Sequence, residues 1–143
     1  MLNVQQILAS KAQNAVYSVT PDQTVYDALE MMAAHNTGTV LVMEGERLAG
    51  IFSERDYARK GVLKGRSAQT TPVSELMTAD VFTVKPQTSL EVCMQMMSEN
   101  KIRHLPVLDG GRVVGLISIS DVVTTVMREQ QARIQSLEEF IAS

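Results

Sequence analysis

Sliding the chain against itself by 65 residues aligns 16–60 with 81–125 without a gap, and 11 of those 45 positions are identical. The identities are Val16/Val81, Val19/Val84, Pro21/Pro86, Met31/Met96, Met32/Met97, Val42/Val107, Gly45/Gly110, Arg47/Arg112, Gly50/Gly115, Ser53/Ser118 and Asp56/Asp121. Other pairs exchange one apolar residue for another, as Val25/Leu90, Leu48/Val113 and Ile51/Leu116 do. A self-match of this length means two copies of one structural unit, so any fold proposed for one copy must serve both.

Each copy reads as strand, helix, strand, strand, helix. VYSV and VFTV are expected as short strands, stopped by Thr20-Pro21 and Lys85-Pro86, because proline turns the chain ahead of a helix. Val25, Ala28, Leu29 and Met32 recur at helical spacing, as do Leu90, Cys93, Met94 and Met97, which gives each helix an apolar stripe. VLVM and HLPVL follow as buried strands, and each meets its neighbour, RLAGIF or RVVGLI, across a glycine-bearing turn. Pro106 has no backbone N–H, so its strand must be at an edge or interrupted there. Helices then begin at SERDYARK and SISDVVTTV, with Tyr57, Val122, Val123 and Val126 as packing contacts. The expected organisation is an α+β fold: a helical lead-in over 1–15, tandem β-α-β-β-α copies at 16–60 and 81–126 around a 61–80 linker, and a helical extension over 127–143. Within the linker, PVSELM is a short helix candidate, and NVQQILAS plays a similar part ahead of the first copy.

With 143 residues and 45% hydrophobic content, the chain can bury an ordinary core. No apolar run approaches the roughly 20 residues that cross a bilayer, and the N-terminal stretch lacks the marks of a secretory signal, so a cytoplasmic protein without membrane contact is expected. Cys93, the only cysteine, lies on an apolar stripe and reads as core. Two histidines and one cysteine make a poor metal set. A net charge of −3 argues against nucleic acid as a partner. Arg55, Arg59, Lys60, Lys64 and Arg66 form a local exception, opposed only by Asp56, which fits either an anion site or a solvated helix and loop.

The most informative pair of motifs is GIFSERD at 50–56 and GLISISD at 115–121. Serine followed three residues later by a carboxylate is a capping box, which satisfies free N–H groups at a helix start. The same carboxylate can also accept hydrogen bonds from two neighbouring ribose hydroxyls. Capping alone would account for either copy.

Two β-α-β-β-α units in tandem, each ending G-apolar-apolar-S-x-x-D, with KIRHLPVLD in the second, resemble a pair of cystathionine-beta-synthase (CBS) domains. The resemblance covers residues 1 to about 127. It implies a regulatory module in which the copies pack about a pseudo-twofold axis, leave two clefts, and often dimerise. Such clefts commonly take AMP, ADP, ATP, NAD(H) or S-adenosylmethionine. By motif, one cleft is expected to draw on Ile51, Ser53, Arg55 and Asp56 with Val81, Phe82, Ile102, Arg103, His104 and Pro106. There Asp56 would hold the ribose, Val81 and Phe82 would flank the base, and Arg55, Arg103 and His104 would meet phosphates. The other cleft is expected to use Leu116, Ser118, Ser120 and Asp121 with Val16, Tyr17, Thr37, Gly38, Thr39 and Leu41. In that cleft Gly38 and Thr39 stand where the first has Arg103 and His104, so the resemblance implies two unequal sites with the phosphate clamp at Asp56.

No nucleophile with an adjacent base, metal cluster or phosphate-loop lysine is present, so an enzyme is not expected. The repeats nearly fill the chain, and output is expected to pass through a separate effector protein or through self-association. The alternative is a structural scaffold with degenerate clefts and its C-terminal helix as the working surface.

Overall fold

The computed structural model describes residues 2–11 and 15–143. Helix α1 (Val4–Ser10) is followed by strand β1 (Ser18–Val19), helix α2 (Val25–His35), strands β2 (Thr39–Glu44) and β3 (Arg47–Ser53), and a short turn α3 (Glu54–Asp56). Helix α4 (Leu90–Asn100), strands β4 (His104–Asp109) and β5 (Arg112–Ser118) and helix α5 (Ile119–Ala142) repeat the order.

The copies share detail as well as order. In each, the central strands pair antiparallel, and the register slips once, at Val42/Met43 and at Val107/Leu108. The turns between them carry glycine at positive φ, Gly45 at 59° and Gly110 at 59°. Helices α2 and α4 each end on a left-handed residue, Asn36 and Lys101. Val25, Ala28 and Met32 of α2, and Leu90, Cys93 and Met97 of α4, are buried. Met94, expected on that stripe, is instead 46% exposed, because Met97 and Cys93 already fill the inner face.

The first strands differ. In the first copy β1 runs parallel to β2, and the Leu41 N–H donates to the Tyr17 carbonyl at 3.0 Å. In the second, Pro106 occupies the position of Leu41 and has no N–H to offer Phe82. VFTV, expected as a strand, is therefore reduced to a single bridge between Val84 and Val107. VYSV too is shorter than expected, with only Ser18 and Val19 in the strand.

Two apolar cores result, and each is closed by a segment from ahead of the other copy. Val4, Ile7 and Leu8 of α1 pack with Leu90, Cys93, Leu105 and Ile117 of the second copy. Val73 and Leu76, from a one-turn 3-10 helix (Val73–Glu75) in the linker, pack with Val25, Val40 and Phe52 of the first. The backbone repeats the exchange. The Val4 N–H donates to Thr88 and the Val73 N–H to Gln23, and these acceptors are equivalent positions.

The last helices also diverge. After α3 the first copy continues as a π-turn (Tyr57–Gly61) and a 3-10 turn (Val62–Lys64), ending on Gly65 at φ 69°. Gly61 permits this, since a Cβ there would stand 2.8 Å from the Tyr57 ring. Helix α5 runs without a break to Ala142. Val122 is buried and Val126 packs on the core, but Val123, expected as a contact, is 46% exposed. Beyond residue 130 every residue of the helix is exposed, so it projects from the repeat rather than folding back on it.

Candidate functional site: a cleft between the copies

Strand β3 leaves the sheet at Ser53, whose extended backbone (φ −127°, ψ 164°) starts the next turn. Ser53 Oγ accepts from the Asp56 N–H at 3.1 Å, and Asp56 Oδ2 accepts from the Ser53 N–H at 3.0 Å. This closed box fixes the Asp56 side chain, which is 18% exposed. Oδ2 is committed to the cap, while Oδ1 faces Lys60 Nζ at 3.4 Å. Ser118 and Asp121 form the same box in the second copy, with the Ser118 N–H donating to Asp121 Oδ2 at 2.8 Å. The partner differs there. Lys11 Nζ lies 3.0 Å from Asp121 Oδ2 and 2.9 Å from the Leu116 carbonyl oxygen.

Asp56 opens onto a cleft of about 820 Å³ between the copies. The first copy lines it with Gly38, Thr39, Ile51, Ser53, Arg55, Asp56, Arg59 and Lys60, the linker with Thr78, and the second copy with Asn100, Lys101, Ile102, Arg103 and His104. Thr78 is held there by a backbone pair with Ile51, at 3.0 and 2.8 Å. Five cationic side chains and one carboxylate share this wall. A concentration of positive charge around one fixed carboxylate suits a ligand with anionic groups at one end and hydroxyl donors at the other.

Of the residues expected at this cleft, the structure brings together Ile51, Ser53, Arg55, Asp56, Ile102, Arg103 and His104. Val81, Phe82 and Pro106 are not in its wall. Pro106 is buried in β4 opposite Leu116, and Phe82 is exposed. Gly38 and Thr39, expected at the other cleft, line this one. Several of the other residues expected at that second cleft have contacts of their own. Tyr17 stacks on His35 with ring centroids 3.8 Å apart, Leu41 is fully buried, and Thr37 Oγ1 donates to the Thr39 carbonyl. Val16, Leu116 and Ser118 are half-buried, and Ser120 is exposed.

Thr39 and His104 are equivalent positions and meet each other, with Oγ1 3.3 Å from Nδ1. This contact sits where the pseudo-twofold relation brings the copies face to face. Burial pushes the His104 pKa below its ordinary value, and Lys11 and Arg103 push the same way while Asp121 opposes them.

Arg59, Lys60, Thr78, Asn100 and Lys101 are cleft residues that motif matching does not supply. Two signals point towards them: the basic run from 55 to 66, and Lys101 at the head of KIRHLPVLD. A second recess, of about 480 Å³, lies beside α1 and Pro86. Its cation, Lys11, is already engaged with Asp121.

The CBS-domain family profile matches residues 6–62 and 73–128. The chain is 40% identical over 146 residues to the mitochondrial CBS domain-containing protein CBSX3 of Arabidopsis thaliana, covering 96% of this chain and 71% of that one. It is 36% identical over 117 residues to the CBS domain-containing protein YhcV of Bacillus subtilis, covering 82% and 83%. Among solved structures it resembles a CBS-domain protein of Burkholderia ambifaria whose name links it to signal transduction. The two share 49% identity and a TM-score of 0.86, covering 90% of this chain and 96% of that one.

Proposed function

Because the chain belongs to the CBS-domain family, whose tandem units are regulatory, ligand-binding modules, we propose that its Asp56 cleft binds an adenine nucleotide and answers with a change of shape or association. The observation that carries this reading is the joining of Asp56 to Arg55, Arg59, Lys60, Lys101 and Arg103 in one wall. Asp56 Oδ1 accepts from the ribose hydroxyls, and Lys60 turns from Asp56 towards phosphate. Ile51 and Ile102 supply apolar faces for the base, the part that motif matching assigns to Val81 and Phe82. The volume falls in the range of about 300–1,000 Å³ usual for small-molecule sites.

The Asp121 side is the weaker site. Its carboxylate is already paired with Lys11, which also binds the Leu116 carbonyl oxygen. AMP, ADP, ATP and NAD(H) are the ligands that five cations favour, with S-adenosylmethionine, a cation itself, the least suited of the adenosine group.

Calorimetric titration and melting curves with AMP, ADP, ATP, NAD and S-adenosylmethionine test the proposal. A ligand at about 100 times its Kd adds about 2.7 kcal/mol of stability, a clear melting shift. Removing a carboxylate that holds ribose hydroxyls costs about 1.5–3 kcal/mol, so Asp56→Ala weakens the tighter site by about 10- to 100-fold, while Asp121→Ala leaves it in place. Unmoved melting curves with all five compounds would reject the proposal.

A further inference from the structure

Helix α5 carries an apolar stripe that its own repeat does not use. Val123, Met127, Ile134, Leu137 and Ile141 recur at alternating spacings of three and four, with Gln130 completing the series. This is the heptad pattern of a two-stranded coiled coil, with Met127, Ile134 and Ile141 at a and Val123, Gln130 and Leu137 at d. The a and d positions lie on a different face from Val122 and Val126, which hold the helix to the second copy. Leu137 and Ile141 are 62% and 81% exposed. A lone helical segment of this length is marginal in water, and among the described residues nothing covers its apolar stripe, which is exposed from Val123 to Ile141.

We propose that this extension pairs with α5 of a second copy of the chain as a parallel, in-register coiled coil. The occupant is indicated by charge and side-chain shape. In a parallel pair, Arg133 at g faces Glu138 at e of the other helix, and the twofold makes this contact twice. In an antiparallel pair, Arg133 would face its own copy, a repulsive contact. Within a parallel arrangement, Ile134 and Ile141 at a with Leu137 at d favour two strands over three or four, and Gln130 at one d position meets its counterpart only in register. Arg133 now pairs with Glu129 of its own helix at 3.2 Å, an exposed contact that does not prevent it from also reaching Glu138 of the second copy. The interface is separate from the Asp56 cleft and does not depend on what that cleft binds.

Sedimentation equilibrium of the full chain across a dilution series tests this. The expected result is a dimer that Ile134→Asp with Leu137→Asp makes monomeric without lowering the melting temperature of the repeats, since both side chains are exposed. Arg133→Glu should weaken the dimer by about tenfold by turning two attractive pairs repulsive, and adding Glu138→Arg should restore it. Cys93 is buried, so Leu137→Cys offers the reactive thiol, and mild oxidation should link two chains through it. A parent chain that is monomeric at every concentration would overturn the proposal, as would a dimer indifferent to the double aspartate variant. Cross-linking of Met127→Cys chains to Leu137→Cys chains, without cross-linking of Leu137→Cys to itself, would overturn the parallel orientation.

Discussion

Gly50 and Gly115 are equivalent residues under different constraint. A Cβ at Gly50 would stand 2.6 Å from Met77 Sδ and 2.8 Å from the Thr78 carbonyl oxygen, whereas at Gly115 it would meet only the Leu8 side chain. A side-chain end can swing aside, but the Thr78 carbonyl is fixed by its pairing with Ile51. Gly50→Ala should therefore destabilise the protein by about 1–3 kcal/mol in urea unfolding, and by more than Gly115→Ala does. His104 gives a second prediction. Its folded-state pKa lies below the unfolded value, so the unfolded chain takes up a proton first as pH falls. Its contribution to stability is full above the unfolded pKa, near 6.5, and declines as the pH drops below it. Lys11, Arg103 and Asp121 are the charges that act on the ring. His104→Asn should flatten the fall in melting temperature between about pH 7.5 and 5.5, a comparison that thermal scans provide.

At the scale of elements, Pro106 decides whether the second copy has a first strand. Pro106→Leu, which reproduces the Leu41 position, should supply an N–H for the Phe82 carbonyl. Hydrogen exchange would then find a slowly exchanging amide at residue 106 and strand-like protection extending from 84 towards 82. Were the new amide to exchange freely, something other than the missing donor would be keeping VFTV out of the sheet. These elements also show what local sequence can convey. The Ser-x-x-Asp boxes, the glycine turns and the stripes of α2 and α4 depend on neighbours within a few residues, and they are legible in the sequence itself. The exposure of Val123 and the loss of the VFTV strand are not, because each turns on packing or hydrogen bonding against a distant segment. At the cleft, Asp56, Arg103 and His104 lie in recognisable motifs. Arg59 and Lys60 are visible in the sequence only as part of a basic run, since the π-turn that presents them to the cleft depends on Gly61 packing against Tyr57.

For the whole molecule, the exchange of closing segments ties the two copies together. Ile7 is 1% exposed in the second core although it precedes the first copy in the chain. Ile7→Ala should cost about 2–5 kcal/mol, and chemical shifts should change mainly across β4, β5 and α4 rather than in the copy that follows it in sequence. Changes centred on β2 and β3 would contradict the exchange. The same arrangement bears on how the chain can be divided. Cleavage near residue 66 would leave two fragments of which neither is a domain, each holding the piece that completes the other. Mixed together, they should reassemble as complementary halves, whereas alone each could close its core only by trading segments with another molecule of itself. The polypeptide is in this sense a segment-swapped dimer written as one chain, and its covalent linker does what concentration would otherwise have to do.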